Sequence, residues 1–322
     1  MKKIATILLA ALVTCSVMFA GGSKDAGQKR VVFIARSMAD MFPAWMAKSM
    51  EADMKTGKHN FKLEILDAQA NDMRQNELIE NAITNKYDVI IIQPNDTEAS
   101  KPGIQKVINA KIPVILTNPR STDPAILNNS NSVDADPYEQ GAVVARYALT
   151  QIPQGARVVV FRGPDGNLHS VERRRAWKQE FFDKRPDVQI FREDSAHWMN
   201  DEAMKFMEDW VQASGARAID AIVSMNDNMA MGALEAIKDN PAYGKIQAYG
   251  VDGDEGAAIL IKSGRLTATA FQNANDLSIR ILQMADDILS GKQTGYVNTD
   301  ILCPLYTKDN VDELLAVHAG NK

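Results

Sequence analysis

The sequence predicts an α/β protein with two parallel β-sheets, each covered by helices on both faces. Short apolar runs typical of buried strands alternate along the chain with segments of helical periodicity, and this alternation restarts in the second half. The length of 322 residues also matters, because a single hydrophobic core rarely grows beyond about 250–300 residues. We therefore expect two lobes of similar size.

Residues 1–22 have the order of a secretory signal peptide, with Lys2 and Lys3 before an apolar stretch at 4–13 and small residues at 20–22. The apolar stretch is much shorter than the roughly 20 residues that a membrane-spanning helix needs. The pattern predicts an exported, periplasmic protein with a linker over 23–30. Cys15 follows a loose lipobox at 12–14, and lipid attachment through Cys15 is the alternative. Cys303 would then stand alone, without an intramolecular disulfide.

The first half of the chain contains four apolar runs, each followed by a segment of helical character. The predicted strands are residues 31–35, 63–66, 89–92 and 114–117. A helix is predicted over 71–85, because Leu78, Ile79, Ala82 and Ile83 fall on one helical face. Strand and helix in alternation indicate β-α-β units.

The second half repeats this organisation. Asp136 is placed to cap a helix over 138–150, after which the apolar runs resume. The predicted strands are residues 158–161, 188–191, 219–223, 247–251 and 267–271. A long helix over 274–289, ended by Ser290 and Gly291, precedes one last strand near 297–303.

Charge and missing motifs argue against several classes of function. With 36 basic and 41 acidic side chains the net charge is −5, which disfavours a nucleic-acid surface. The sequence has no phosphate loop, dinucleotide fingerprint, zinc-protease motif or nucleophile elbow. The turn at 163–166 precedes a helix and could bind an anion, but its spacing favours a plain strand-to-helix turn. The four histidines lack metal-ligand spacing, and Asp252, Asp254 and Glu255 lack the closing Glu of a calcium loop. We therefore expect neither catalytic residues nor a metal or cofactor.

Polar and aromatic side chains follow the predicted strands at their carboxyl ends, where open α/β sheets bind ligands. Carboxylates, amides and Arg can hydrogen-bond vicinal hydroxyl groups, and aromatic rings can cover the apolar faces of a sugar. The candidate binding residues are Asp40, Phe42, Gln93, Asn118, Asn167, His169, Arg173, Trp198, Asn226, Asp252 and Gln272. Each also has a structural interpretation, such as helix capping by Asn226 or core packing by Phe42. Their convergence at strand ends favours a sugar-like site.

Four segments carry a family resemblance: residues 112–115, 133–136, 226–233 and 249–253. Together they resemble the bacterial periplasmic monosaccharide-binding proteins, the ribose and glucose/galactose group that serves ATP-binding-cassette (ABC) importers. The resemblance extends over about residues 30–305. It implies the type I periplasmic binding protein fold, with two Rossmann-like lobes joined by a three-crossover hinge and closing over one sugar. The implied lobes are residues 30–134 plus 273–300, and residues 135–272 plus 301–322.

The same resemblance implies roles for individual residues. The implied sugar ligands are Asp40, Phe42, Gln93, Asn118, Arg173, Trp198, Asn226, Asp252 and Gln272. Asp40, Phe42 and Trp198 look more like the glucose/galactose branch, which predicts a hexose. That branch differs at Gln93, Asn167, His169 and Gln272, so a pentose or cyclitol is the alternative.

The resemblance also implies partners. We expect a monomer that hands a monosaccharide to a membrane ABC permease, with a chemoreceptor as a further partner and with no nucleic acid. A DNA-binding regulator is disfavoured because the first strand begins about eight residues after the signal region, which leaves no room for a helix-turn-helix domain. A sugar-processing enzyme is disfavoured because no paired acid and base is evident.

Overall fold

The computed structural model describes residues 27–215 and 217–320. The predictions for residues 1–22, including the signal peptide and Cys15, lie outside this part of the chain. Within it, the strands form two six-stranded sheets. The strands in chain order are β1 (Lys29–Ala35), β2 (Phe61–Asp67), β3 (Val89–Ile92), β4 (Val114–Leu116), β5 (Asn131–Ala135), β6 (Arg157–Arg162), β7 (Gln189–Ser195), β8 (Ala221–Ser224), β9 (Gln247–Asp252), β10 (Ala268–Phe271), β11 (Asn298–Ile301) and β12 (Leu305–Thr307).

Eleven α-helices connect or cover these strands in the described residues. They are α1 (Met41–Met54), α2 (Asp72–Thr84), α3 (Lys101–Asn109), α4 (Pro124–Leu127), α5 (Pro137–Gln151), α6 (Leu168–Glu180), α7 (Asn200–Ser214), α8 (Asp227–Ala236), α9 (Glu255–Ser263), α10 (Ala274–Leu289) and α11 (Val311–His318).

The two sheets have the same strand arrangement. The first sheet has the order β11-β5-β4-β3-β1-β2, and all of its pairings are parallel. The second has the order β12-β10-β9-β8-β6-β7, and it is parallel except that β12 runs antiparallel to β10. Non-consecutive neighbours in each sheet require helical crossovers, which is the doubly wound topology.

Side-chain capping determines where several helices begin. The Asp136 carboxylate accepts hydrogen bonds from the backbone N–H groups of Tyr138 and Glu139, which confirms the predicted cap of α5. The predicted helix over 274–289 is confirmed as α10, and the Asn273 side chain caps it. The predicted helix over 71–85 is confirmed as α2, with Asn71 as its cap.

The final strand differs from the prediction. In place of one strand near 297–303, the chain forms β11 in the first sheet and β12 in the second. Pro304 lies between them and has no N–H to donate to a ladder, so a continuous strand is disfavoured there. Strand β5 is a further element that the apolar runs did not predict.

Alternation of side chains in β1 builds the core of the first lobe. Val31, Phe33 and Ala35 pack on one face of the sheet, against α1 and α10. Val32 and Ile34 pack on the other face, against α2 and α3. Both faces of the sheet are therefore buried, as a parallel sheet requires. In the second lobe, the buried side chains from both faces of the sheet form one continuous cluster.

The chain passes between the two sheets three times. The passages lie between β5 and α5, between β10 and α10, and between β11 and β12. Helix α10 follows a strand of the second sheet but packs on α1 of the first lobe. The carboxyl ends of both sheets consequently face each other. No helix within residues 27–215 and 217–320 is long and apolar enough to cross a membrane.

Candidate functional site

A cavity lies between the lobes, at the carboxyl ends of both sheets. Its lining side chains are Arg36, Asp40, Phe42 and Asn118 from the first lobe, and His169, Arg173, Trp198, Asn226, Asp252 and Gln272 from the second. Nine of the eleven residues predicted from the sequence thus meet in one cavity, and Arg36 joins them. The convergence follows from the topology, because parallel strands deliver their following residues to one edge.

Asp40 has both carboxylate oxygens occupied by donors of its own lobe. Oδ1 accepts the backbone N–H of Phe42 at 3.2 Å and so caps α1. Oδ2 accepts a hydrogen bond from the Arg36 guanidinium, and the two side chains form a buried ion pair. Burial lowers the pKa of Arg36 to about 9. The negative charge of Asp252 raises this pKa, and the positive charge of Arg173 lowers it further. Arg36 therefore remains charged at neutral pH.

Arg173 is the hydrogen-bonding centre of the second lobe. From α6 it donates through Nε to Gln140 Oε1 at 2.8 Å and through an Nη to the carbonyl of Met225 at 2.6 Å. Its other Nη lies 3.2 Å from both Asp252 Oδ1 and His169 Nδ1. Burial lowers the pKa of Arg173, and the charge of Asp252 opposes that shift. The guanidinium is thereby fixed in orientation by three elements of the lobe.

His169 is neutral in this environment because burial lowers its pKa, although Asp134 opposes the shift. Arg173 can only donate, so His169 Nδ1 accepts and the ring proton is assigned to Nε2. Nε2 lies 3.4 Å from Asp134 Oδ1. The same Asp134 carboxylate accepts the backbone N–H of Arg120 at 2.8 Å, which ties the first lobe to His169.

Asp252 ends β9 and carries the available carboxylate of the second lobe. Its φ of 118° is unusual for a residue with a side chain, and strain of this kind clusters at functional sites. Burial raises the pKa of Asp252 to about 6, although Arg173 and Arg36 oppose the shift. Behind it, Asp227 Oδ2 accepts the backbone N–H groups of Gly253 at 2.7 Å and Asp254 at 3.1 Å. Burial, followed by the charge of Asp252, raises the pKa of Asp227 well above its usual range.

Trp198 is positioned by hydrogen bonds to its backbone carbonyl, and its ring lies near two guanidinium groups. Its carbonyl accepts hydrogen bonds from the side chains of Asn226 at 3.3 Å and Asn228 at 2.9 Å. Its ring packs on Gly163, where a Cβ would lie only 2.2 Å from Cζ2. Arg36 and Arg173 each place Cζ 5.6 Å from the ring centroid, within cation–π range. The turn at 163–166, predicted as a plain turn, therefore supports the ring.

Two predicted binding residues do not line the cavity. Gln93 is buried; its Oε1 accepts the backbone N–H of Arg36 at 3.1 Å and its Nε2 donates to Asn118 Oδ1 at 2.9 Å. Asn167 caps α6 and donates through Nδ2 to the carbonyl of Asn95 in the other lobe at 3.1 Å. Gln93 therefore positions lining residues, and Asn167 joins the lobes.

Two further residues of the site were missed by reasoning from the sequence. Arg36 is the first residue after β1, so the same strand-end rule could have found it. Gln140 lies inside α5 and contacts Arg173, His169 and Gln272, but no strand-end signal marks a buried polar residue on a helix.

The lining residues present nitrogen atoms that lack partners within the described part of the protein. These buried atoms are Arg36 Nε, Trp198 Nε1 and Gln272 Nε2. Buried polar groups normally have partners, so an excess of donors at one cavity is typical of a ligand site. In the described ranges, no group of three or more His, Cys, Asp or Glu side chains has the arrangement of a metal site. The arrangement suits binding of an oxygen-rich molecule.

Comparisons with known proteins identify the family of the chain. A family model described as a periplasmic binding protein domain matches residues 31–293. The xylitol-binding protein of Mycolicibacterium smegmatis is 27% identical, over 97% of this chain and 87% of that protein. The ribose import binding protein of Bacillus subtilis is 29% identical, over 95% of this chain and 98% of that protein.

Solved structures show the same fold. An ABC transporter solute binding protein from Bacillus halodurans with bound myo-inositol has a TM-score of 0.82 and 24% identity, covering 91% of this chain and 99% of its own. The Caulobacter myo-inositol binding protein bound to myo-inositol has a TM-score of 0.80 and 26% identity, covering 89% and 96%. These likenesses and the two sheets confirm the predicted two-lobed α/β architecture.

Proposed function

This chain belongs to the periplasmic binding protein domain family and has its type I fold, and from this premise we propose that it is an exported binding protein for a small polyhydroxylated ligand, a monosaccharide or closely related polyol. The observation that carries the proposal is the convergence of ten side chains, from both lobes, on one cavity.

The lining residues supply the interactions that such a ligand needs. Arg36, Trp198 and Gln272 offer N–H groups without protein partners, and the Asp252 carboxylate offers acceptor oxygens. The rings of Phe42 and Trp198 can cover apolar C–H faces. Since the groups come from both lobes, a ligand held by all of them stabilises the closed arrangement. The role is capture and release, without chemistry on the ligand.

The hinge would consist of the three passages between the sheets. We assign residues 30–134 and 273–300 to the first lobe, and residues 135–272 and 301–322 to the second. All three passages are short, which favours a rigid-body closure over independent motion of the lobes.

Delivery to a membrane ABC importer is the biological role that we propose, because relatives include a ribose import binding protein and an ABC transporter solute binding protein. The chain would act in the periplasm as a monomer, with lipid anchoring through Cys15 as the alternative. A chemoreceptor is a further partner that this role allows.

Calorimetry on ligand-stripped, refolded protein from residue 23 tests the proposal. The panel contains xylitol, ribose, xylose, arabinose, myo-inositol, glucose and galactose, so that the predicted hexose preference is tested beside the alternatives. We expect saturable binding of at least one member with micromolar or tighter Kd, accompanied by a change in tryptophan fluorescence. Arg173→Ala should abolish binding, whereas Arg280→Ala on the exposed face of α10 should not. Absence of binding across the panel would refute the proposal, and recovery of an altered ligand would point to an enzyme.

A further inference from the structure

Gln140 does not line the cavity, but its side chain contacts three residues that do: Arg173, His169 and Gln272. It lies in the first turn of α5 and is fully buried. A side chain in this position can influence a ligand only through the lining residues that it contacts. The direction of its hydrogen bonds is therefore what matters.

The Arg173 guanidinium determines which way round the Gln140 amide lies. Arg173 Nε approaches the amide at 2.8 Å, and a guanidinium has no acceptor, so the atom that faces it must be Oε1. This contact settles an amide orientation that can only be assigned from the hydrogen-bond network. With Oε1 on Arg173, the Gln140 Nε2 group is directed to Gln272.

The same reasoning fixes the amide of Gln272. Gln140 Nε2 can only donate, so the atom that receives it is Gln272 Oε1. The backbone of Gln272 is also held, because its N–H donates to the carbonyl of Asp252 at 2.9 Å. Gln272 Nε2 is buried and has no hydrogen-bond partner in the described part of the protein. Gln272 therefore has an N–H group to offer to the cavity, while its side-chain carbonyl is already used.

The first lobe contains a similar arrangement. The backbone N–H of Arg36 donates to Gln93 Oε1 at 3.1 Å, and Gln93 Nε2 donates to Asn118 Oδ1 at 2.9 Å. Gln93 is fully buried, whereas Asn118 lines the cavity. In each lobe, a group that can only donate orients a buried glutamine, and that glutamine orients an amide in the cavity wall.

We propose that Gln140 is a positioning residue that sets the hydrogen-bond polarity of the cavity: it holds Gln272 with its N–H group toward the ligand, so that the ligand group placed there must accept. The inference rests on the proposed function and assigns a part in recognition to a residue that does not line the cavity. The two ends of an amide have nearly the same shape, so an unconstrained Gln272 could present either its oxygen or its nitrogen. Gln140 removes that choice.

The substitution Gln140→Glu inverts the arrangement. A carboxylate has only acceptors, so it can accept from both Arg173 Nε and Gln272 Nε2, and Gln272 must then turn its oxygen toward the ligand. The probes are the panel member that binds most tightly (xylitol, ribose, xylose, arabinose, myo-inositol, glucose or galactose) and its analogues with one hydroxyl replaced by fluorine, which cannot donate. Calorimetry gives, for each hydroxyl position, the ratio of the Kd of the analogue to the Kd of the parent. At the position that faces Gln272, this ratio should be about tenfold higher in Gln140→Glu than in wild type, because fluorine then meets an oxygen.

Two control variants separate this inversion from general damage. Gln140→Met removes both hydrogen bonds without inverting Gln272, so overall affinity should fall while the ratios stay near those of wild type. Gln179→Glu makes the same change of charge at an exposed position of α6, where Gln179 accepts from Arg175, and should leave every Kd unchanged. A loss of stability alone does not alter the ratios, because parent and analogue bind the same protein.

Gln272→Glu makes the inversion from the other side and keeps the inference falsifiable if Gln140→Glu does not fold. Gln140 Nε2 can still donate to the new carboxylate, whose second oxygen then faces the ligand, so the ratio should rise at the same hydroxyl position. Unchanged ratios at every position in the folded variants would overturn the inference while leaving sugar or polyol binding intact. Wild-type protein that binds no member of the panel would instead refute the proposed function itself.

Discussion

Closure of the two lobes should depend on Gly166, because its lack of a side chain lets two loops touch across the cleft. Thr97 N–H, from the loop after β3, donates to the carbonyl of Gly166 at 2.9 Å. Beside it, Asn167 Nδ2 donates to the carbonyl of Asn95 at 3.1 Å. These two hydrogen bonds connect the lobes without contacting the cavity lining.

The substitution Gly166→Ala would place a Cβ 1.5 Å from Asp96 Oδ2. Asp96 is held in place because its Oδ1 accepts the backbone N–H groups of Glu98 and Ala99, each at 2.8 Å. The loops must therefore separate, and both interlobe hydrogen bonds are lost. At about 0.5–1.5 kcal/mol each, the closed form loses about 1–3 kcal/mol. In the proposed mechanism the ligand binds the closed form, so affinity should fall about 5- to 150-fold.

Calorimetry with the tightest ligand of the panel measures this loss, and small-angle scattering with saturating ligand measures compaction. Gly166 has no positive φ, so alanine adds no backbone strain and the melting temperature without ligand should be unchanged. Gly244→Ala is the matched control, since its Cβ would meet Pro241 O at an ordinary 3.5 Å. Asp96→Ala in the Gly166→Ala background should restore part of the affinity. Binding of Gly166→Ala within twofold of wild type would refute the argument.

Three further outcomes follow from the site and the core. Burial raises the pKa of Asp252 to about 6, so its acceptor carboxylate is present above pH 6 and is lost below it. Ligand affinity measured by calorimetry should therefore fall about tenfold between pH 7 and pH 5. The substitution Asp252→Asn should remove this pH dependence. The substitution Gly141→Ala would place a Cβ 2.6 Å from the carbonyl oxygen of Arg173, so α5 and α6 must separate. Chemical denaturation should show that the free energy of unfolding falls by about 1–3 kcal/mol. Ligand affinity should also fall, because Arg173 moves. Trp177→Ala removes a fully buried ring and should lower the free energy of unfolding by about 3–5 kcal/mol, whereas the ratio of affinities for two sugars should stay constant.

The elements that the sequence predicted well are those whose local signals agree with their tertiary environment. Strand β3 and the central residues of β1 and β6 are apolar because both faces of a parallel sheet are buried. Helix α10 was predicted with its observed bounds, because its periodicity and its Ser290 end coincide with the first-lobe surface that it covers.

Strand β5 was missed because its buried residues are polar. Asn131, Ser132 and Asp134 are almost fully buried, yet an apolar run cannot be recognised in them. Their burial is stabilised by specific hydrogen bonds: Asn131 donates to the carbonyl of Val114 at 3.3 Å, and Asp134 accepts from Arg120 N–H at 2.8 Å. Tertiary structure determines these hydrogen-bond partners, and they produce no periodic pattern in the sequence from which the strand could be predicted.

In the site, too, the sequence shows which residue types are present but not which hydrogen-bond partners they have. Asp40, Arg173 and Asp252 were chosen because they follow strand ends, and the structure places all three at one cavity, since the topology decides which residues meet there. The position of a residue along the chain does not reveal its partners. Asp40 accepts a hydrogen bond from Arg36, four residues earlier, whereas Asp252 accepts one from Arg173 through Oδ1 and can still accept others. The two aspartates therefore have different roles: Asp40 holds the Arg36 donor in place, and Asp252 serves as an acceptor.

This difference has a consequence for how a ligand would lie in the cavity. With donors of Arg36 on the first lobe and the Asp252 carboxylate on the second, a ligand oxygen that accepts should face the first lobe and a hydroxyl that donates should face Asp252. Hydroxyl groups can do both, so a polyol can satisfy the two walls together only when the lobes are closed. Closure and recognition are therefore coupled through the same few side chains, and a variant that inverts one wall, such as Arg36→Glu, should lose both.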